Sequence, residues 1–131
     1  MKKSISVFLF AVAMITVLCL PIYARYSYIT QLSGGLSIDS SGLANCSGLV
    51  IPSRIDTRTN LKVTLEHYVN GNWNEIDSWT NSGSGTISIS KSGKRYVDRG
   101  KYRVVVNAKV YDSSSGSLLE DESYTTSEKT Y

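Results

Sequence analysis

A lone histidine, His67, and 19 serines beyond residue 24 are the side chains from which a Ser/His/Asp hydrolase would have to be built. No Gly-x-Ser-x-Gly turn is present, and serines this numerous carry no positional information. His67 follows Leu61, Val63 and Leu65 at period two, which gives it the inward side of a strand and a structural role. Metal chemistry has as little to work with, because past the leader described below the chain offers one cysteine, Cys46, and no Cys or His pair at ligand spacing. Glu120-Asp121-Glu122 alternate faces if extended, so they read as a solvated acidic edge rather than a calcium site. No catalytic, cofactor-binding or metal-binding residue is assigned, and the expectation is a non-enzymatic protein with no cofactor.

Two groups of residues suit binding instead. Six cations, Lys91, Lys94, Arg95, Arg99, Lys101 and Arg103, lie within 13 residues against the single Asp98. They read as an exposed connection whose charges keep it soluble, with Lys94, Arg95 and Arg99 as the candidates for holding anionic wall polymers or lipid headgroups. Aromatic residues form the second group. Tyr68 shares parity with Lys62, Thr64 and Glu66, and Tyr111 with Arg103, Asn107 and Lys109. With Trp73 and Tyr124 they are candidates for an exposed strip that stacks on sugars or anchors peptides, the alternative being pairs that only stabilise the sheet. Trp73 and Trp79 share parity with Glu75 and Asp77 whereas Ile76 takes the other, so that strand is expected to bulge and the faces of the two Trp stay open.

The segment in front of these residues decides where they work. Lys2 and Lys3 precede an uncharged run from Ile5 to Leu20, followed by Pro21-Ile22-Tyr23-Ala24 and Arg25. This reads as a secretory signal helix over 1–24, cleaved after Ala24, leaving a domain over 25–131 that is secreted and meets a membrane only through the leader. An uncleaved anchor is the alternative, since 20 uncharged residues just span a bilayer, but Pro21 breaks the helix at the cut. Cys19 follows Thr16-Val17-Leu18 rather than a small residue, which disfavours a lipoprotein. Without the leader the charges are 12 positive against 11 negative, so net charge supports neither polyanion nor nucleic-acid binding. One cysteine cannot form an internal disulfide, and a domain of about 107 residues must be held by burial alone.

The scaffold reads as all-β. Nineteen Ser, nine Thr and ten Gly past the leader disfavour long helices, and apolar residues recur at period two. Strands are expected over Tyr26 to Asp39 interrupted by a bulge or sheet switch at Gly34-Gly35, Ala44 to Ile51, Leu61 to Glu66, Trp73 to Thr80, Ile87 to Ile89, Tyr102 to Val110 and Leu118 to Thr125. Asn70-Gly71 marks a tight hairpin, and Asn81 to Gly85 and Asp112 to Gly116 mark turns. Seven such strands predict a single antiparallel β-sandwich.

Asp98-Arg99-Gly100-Lys101-Tyr102-Arg103-Val104 matches the D-x-G-x-Y-x-C pattern of a tyrosine corner, with Val104 where immunoglobulin domains place a disulfide cysteine. Cys46 shares parity with Ala44 and Val50, so Cys46 and Val104 are expected to meet in the core. The domain thus resembles a disulfide-free immunoglobulin-like or fibronectin type III-like sandwich. Tyr28-Ile29-Thr30, Leu32 to Ile38, Ser41-Gly42-Leu43-Ala44 with Cys46, Asn70-Gly71-Asn72-Trp73, Ser78-Trp79 and Tyr111 to Glu120 are similar to small secreted proteins of unknown function from Gram-positive, clostridial-type bacteria. That resemblance implies export and a β-rich fold and no mechanism. The expected function is an extracellular interaction module at the cell envelope, with a glycan, an anionic wall polymer or another secreted protein as partner and no nucleic acid. A self-associating matrix protein is the alternative, ahead of a hydrolase.

Overall fold

The computed structural model describes residues 26–131. The leader expectations, helix and cleavage alike, lie outside the described residues. Eight strands follow in order: β1 (Ile29–Ile38), β2 (Leu43–Pro52), β3 (Thr57–Val69), β4 (Asn72–Ser84), β5 (Ile89–Tyr96), β6 (Lys101–Asp112), β7 (Leu118–Thr125) and β8 (Lys129–Thr130). They form two antiparallel sheets, one ordered β1-β2-β5 and one ordered β4-β3-β6-β7 with the short β8 paired to the start of β6. The all-β sandwich expected from the period-two pattern is therefore found, with one short strand more than the seven anticipated.

The core follows from alternation. Leu61, Val63 and Leu65 of β3 and Tyr102, Val104, Val106, Ala108 and Val110 of β6 are all buried, facing Ala44, Cys46 and Val50 of β2. Fully burying one such aliphatic side chain stabilises by roughly 1.5–3 kcal/mol, which is how a domain without a disulfide holds. Cys46 is buried as a small apolar group, its thiol pushed up to about 11 by burial and then by the nearby Asp77 charge.

Gly34-Gly35 does not interrupt β1. Pairing with β2 is continuous through both, and the register shift falls between Ile29 and Gln31 instead. The glycines serve close approach. Gly34 pairs with Gly48, and a Cβ on either would strike Val106, while one on Gly48 would also strike Val63. Because Val63 and Val106 are themselves a cross-strand pair, two bare backbones of one sheet receive two valines of the other at the waist of the sandwich.

The β4 and β5 edges stand side by side and are zipped by three contacts. Asn81 Nδ2 donates to the Ser90 carbonyl at 2.9 Å, the Trp79 indole lies over Gly93 so closely that no Cβ would fit, and Arg95 Nη1 reaches the Ile76 carbonyl at 2.7 Å and Asp77 at 3.5 Å. The bulge expected in the Trp strand is present: Leu65 pairs with Asp77 and Glu66 with Glu75, leaving Ile76 unpaired. Parity reverses there, so Trp79 turns toward the core and Trp73 outward. Along the opposite edge Glu120 is not solvated acidic surface as expected. Its Oε2 accepts from the backbone N–H groups of Ser27 and Tyr28 at 2.9 and 3.2 Å and clips the entering chain to β7.

Several strand limits differ from expectation, β3 most of all, running Thr57–Val69 where Leu61 to Glu66 was expected. β4 runs on to Ser84 through the stretch read as a turn, because Asn81 to Ser84 still pair residue by residue with β3. Strand β5 begins at Ile89 and runs to Tyr96, so Ile87 belongs to the preceding turn and Lys91, Lys94 and Arg95 sit on a strand, not in a loop. β1 starts at Ile29, after Tyr26 to Tyr28.

Candidate functional site

The outer face of the β4-β3-β6-β7 sheet carries three of the seven binding candidates, Tyr68, Trp73 and Tyr111. Registers on both sides of β3 set its side chains in cross-strand rows: Ser84–Arg58–Tyr111, then Ser82–Asn60–Lys109, then Thr80–Lys62–Asn107, then Ser78–Thr64–Val105, then Glu75–Glu66–Arg103, and finally Trp73 with Tyr68. Rows repeat about every 7 Å along the strands, with strands about 4.8 Å apart.

At the Asn70-Gly71 end every large group is engaged. Both turn residues have positive φ, 52° and 81°, the geometry of the tight hairpin turn that this dipeptide favours. That turn sets Trp73 against Tyr68 with ring centroids 5.1 Å apart. The Arg103 guanidinium lies 4.2 Å above Trp73 and bonds Glu66 Oε1 through Nε at 2.7 Å, and Lys101 Nζ stands 5.3 Å above Tyr68. Each of the two rings thus already carries one of the protein's own cations.

Just beneath, on the inner side, Tyr102 donates its hydroxyl to the Asp98 carbonyl at 2.8 Å, the bond expected of the corner. Burial, and then the Asp98 charge, raise the Tyr102 phenol above its ordinary value. His67 stacks on Tyr102 at 4.5 Å and 10°, and its Nε2 occupies the space a Cβ on Gly100 would need. His67 is the half-buried structural imidazole that its parity suggests.

Toward the other end, three rows open into a groove of about 620 Å³ lined by Asn60, Lys62, Thr80, Asn81, Ser82, Asn107, Lys109 and Tyr111, with Leu61 at its floor. No carboxylate lines it. Lys62 is held at its margin by Glu75 at 3.2 Å, and Asn107 spends its amide N–H groups on Asp121, the Glu122 carbonyl and Ser123. The side chains of Asn60, Thr80, Ser82, Lys109 and Tyr111 make no hydrogen bond or ion pair among the described residues. Asn60, Thr80 and Ser82 were not singled out by sequence reasoning. The signal that finds them is the strand parity that pointed to Lys62, Asn107 and Lys109, extended by one row across β4.

The expected aromatic strip is therefore divided. Tyr68 and Trp73 form one pair, Tyr111 stands about 30 Å away along β6, and Tyr124 is not on this face. It pairs opposite the buried Val106, with Glu120 and Glu122 on the same side of β7, because parity along β7 is fixed by β6 and not by its own composition. Nor do the three cations converge. Lys94 points outward from the three-stranded sheet opposite Asn45, Arg95 seals the β4/β5 edge, and Arg99 lies 4.1 Å over the Tyr131 ring. A linear run of like charges on a strand and its turn is dealt to different faces.

No family model matches the chain and no curated protein matches it. The functional reading rests on this geometry.

Proposed function

We propose that the protein is a secreted, non-enzymatic binding module of the cell envelope that takes an extended, hydroxyl-rich ligand of the glycan type on the outer face of its β4-β3-β6-β7 sheet. The observation that carries this reading is the groove between Thr80 and Tyr111, where five side chains offer hydrogen-bonding groups with no partner among the described residues. Ready-made sites for apolar small molecules are lined mainly by hydrophobic groups; this one is open and polar, with one aromatic ring, Tyr111, at its rim. A polyhydroxylated chain suits such a surface because each hydroxyl both donates and accepts.

The edges support a binding module over self-assembly. β5 carries Lys91 and Arg95 on its core-facing side, and β4 is bulged at Ile76, both devices that oppose strand addition by a second copy. The finer fold type goes with this reading: a fibronectin type III-like arrangement is supported by the strand orders β1-β2-β5 and β4-β3-β6-β7 and the Tyr102–Asp98 bond. The test is amide NMR of the full chain in non-ionic detergent, titrated with envelope polysaccharide fragments, neutral and charged. Shifts clustered at Asn60, Thr80, Ser82, Lys109 and Tyr111 are expected. A panel that moves none of them overturns the reading. Tryptophan fluorescence is a poor substitute, since Trp73 lies about 20 Å from Lys62 along the sheet and Trp79 faces inward.

A further inference from the structure

The distribution of charge in the groove assigns its ligand a sign. We infer that the ligand is a polyanion: a polyhydroxylated polymer carrying regularly spaced carboxylate or phosphate groups, bound with its anions against Lys109 and Lys62 and its hydroxyls against Asn60, Thr80, Ser82 and Tyr111. This rests on the groove being the binding face, as proposed above, and adds the chemical class.

The inference does not come from net charge, which is close to zero once the leader is set aside. It comes from how the charges are arranged. On the outer face of this sheet the carboxylates are already engaged: Glu66 by Arg103 at 2.7 Å, Glu75 by Lys62 at 3.2 Å, and Asp121 by the Asn107 amide at 2.7 Å. Two cations line the groove and no acid does. Lys109 sits between Asn60 and Asp121 in its row and has no ion pair, while Arg58 heads the next row beside Tyr111, likewise without one among the described residues. Lys62 is half exposed and its pair with Glu75 is of the weak surface kind, so an incoming anion displaces a carboxylate at little expense.

Lys109 and Lys62 stand on adjacent strands one row apart, roughly 8 Å between backbones, a spacing at which successive charges along one chain can each meet a cation. Uncommitted hydroxyl and amide groups between and beside them match the uncharged part of each repeat. A neutral glycan would gain no ionic contact from Lys109, and an apolar ligand would make no use of the five donors.

The experiment compares three polymers on the full chain in non-ionic detergent by amide NMR and calorimetry: polygalacturonate, poly(glycerol phosphate), and fully methyl-esterified polygalacturonate as the neutral match of the first. Binding of either anionic polymer is expected, with shifts at Asn60, Lys109 and Tyr111. Affinity should fall about tenfold or more between roughly 0.05 and 0.5 M salt, and by a similar factor in Lys109→Met and Lys62→Met. The carboxylate and phosphate arms tell which source the anion comes from, and either supports the class. Equal, salt-insensitive binding of the esterified polymer at the same residues overturns the charge assignment and leaves the glycan reading standing. Anion binding that both Lys→Met variants retain in full also overturns it, because the polymer then sits elsewhere. If none of the three polymers nor any neutral fragment moves the groove, both readings fall together.

Discussion

The two ends of one sheet face are built on the same strands, β3, β4 and β6, yet they have been brought to opposite conditions. At the hairpin end, Trp73, Tyr68, Arg103, Lys101 and Glu66 satisfy one another through ring contacts and a short ion pair. Around Asn60, Lys109 and Tyr111 the same pleated surface presents polar groups with no internal partner. Aromatic and charged side chains are thus poor markers of a binding site when they interleave, because cations over rings and ion pairs complete each other within the domain. The more telling feature is a set of small polar residues left incomplete on a rigid sheet.

Breaking the hairpin end should have the largest effect on stability. Arg103→Ala removes both the cover of Trp73 and the partner of Glu66, a carboxylate with only 19% of its side chain exposed. It is expected to cost about 2 kcal/mol by urea unfolding, since a half-buried charge left alone is penalised more than a surface one. Loss below about 0.5 kcal/mol would show the cluster to be as incomplete as the groove. Tyr102→Phe comes next, at about 1–2 kcal/mol, because it strands the Asp98 carbonyl without its donor. An unchanged unfolding midpoint would remove the corner bond from the account of this end.

The open end should respond in the reverse sense. Asn60→Ala combined with Tyr111→Ala is expected to change stability by no more than about 0.5 kcal/mol, as surface substitutions without internal partners do, while abolishing polymer-induced shifts. A double variant that unfolds would mean these side chains hold the fold and are not free for a ligand.

The smallest effect is a pH dependence at the turn beside Tyr111. Asp112 is held down at about 2, first by the Ser115 backbone N–H and then by the Ser114 hydroxyl and N–H. Its folded value lies below the ordinary 3.8, so its contribution is present in full above that and is lost as pH falls from about 3.8 toward 2. Carboxyl NMR titration should read this directly. Asp112→Asn should keep the turn and flatten the melting temperature over that window; an unchanged acid slope would place the dependence elsewhere, with Asp39, lowered mainly by the Ser41 hydroxyl, as the next residue to examine.

Much of the scaffold was legible residue by residue. Alternation in β3 and β6 named the buried aliphatics, Asn70-Gly71 named its turn, and the clash of parity around Ile76 named the bulge before any coordinates. What misled were features whose meaning depends on a neighbour. Gly34-Gly35 resembles a break in one strand, but it is a landing place for Val106 of the other sheet. The cations from Lys91 to Arg103 resemble one patch, but a strand and a turn deal them to several surfaces. Tyr124 looks exposed on the aromatic side because nothing in β7 itself tells which of its faces β6 will select.

The chain alone determined most of the strands, the turns at Asn70-Gly71 and Asp112 to Gly116 and the membership of the core, since these follow from side-chain period and local backbone preference, which act within a few residues. The stacking of the sheets decided the rest. Which polar groups find partners is set by residues far apart in the chain, Glu66 with Arg103, Trp79 with Gly93, Glu120 with Ser27, so the groove exists as what was left unpaired after the two sheets closed.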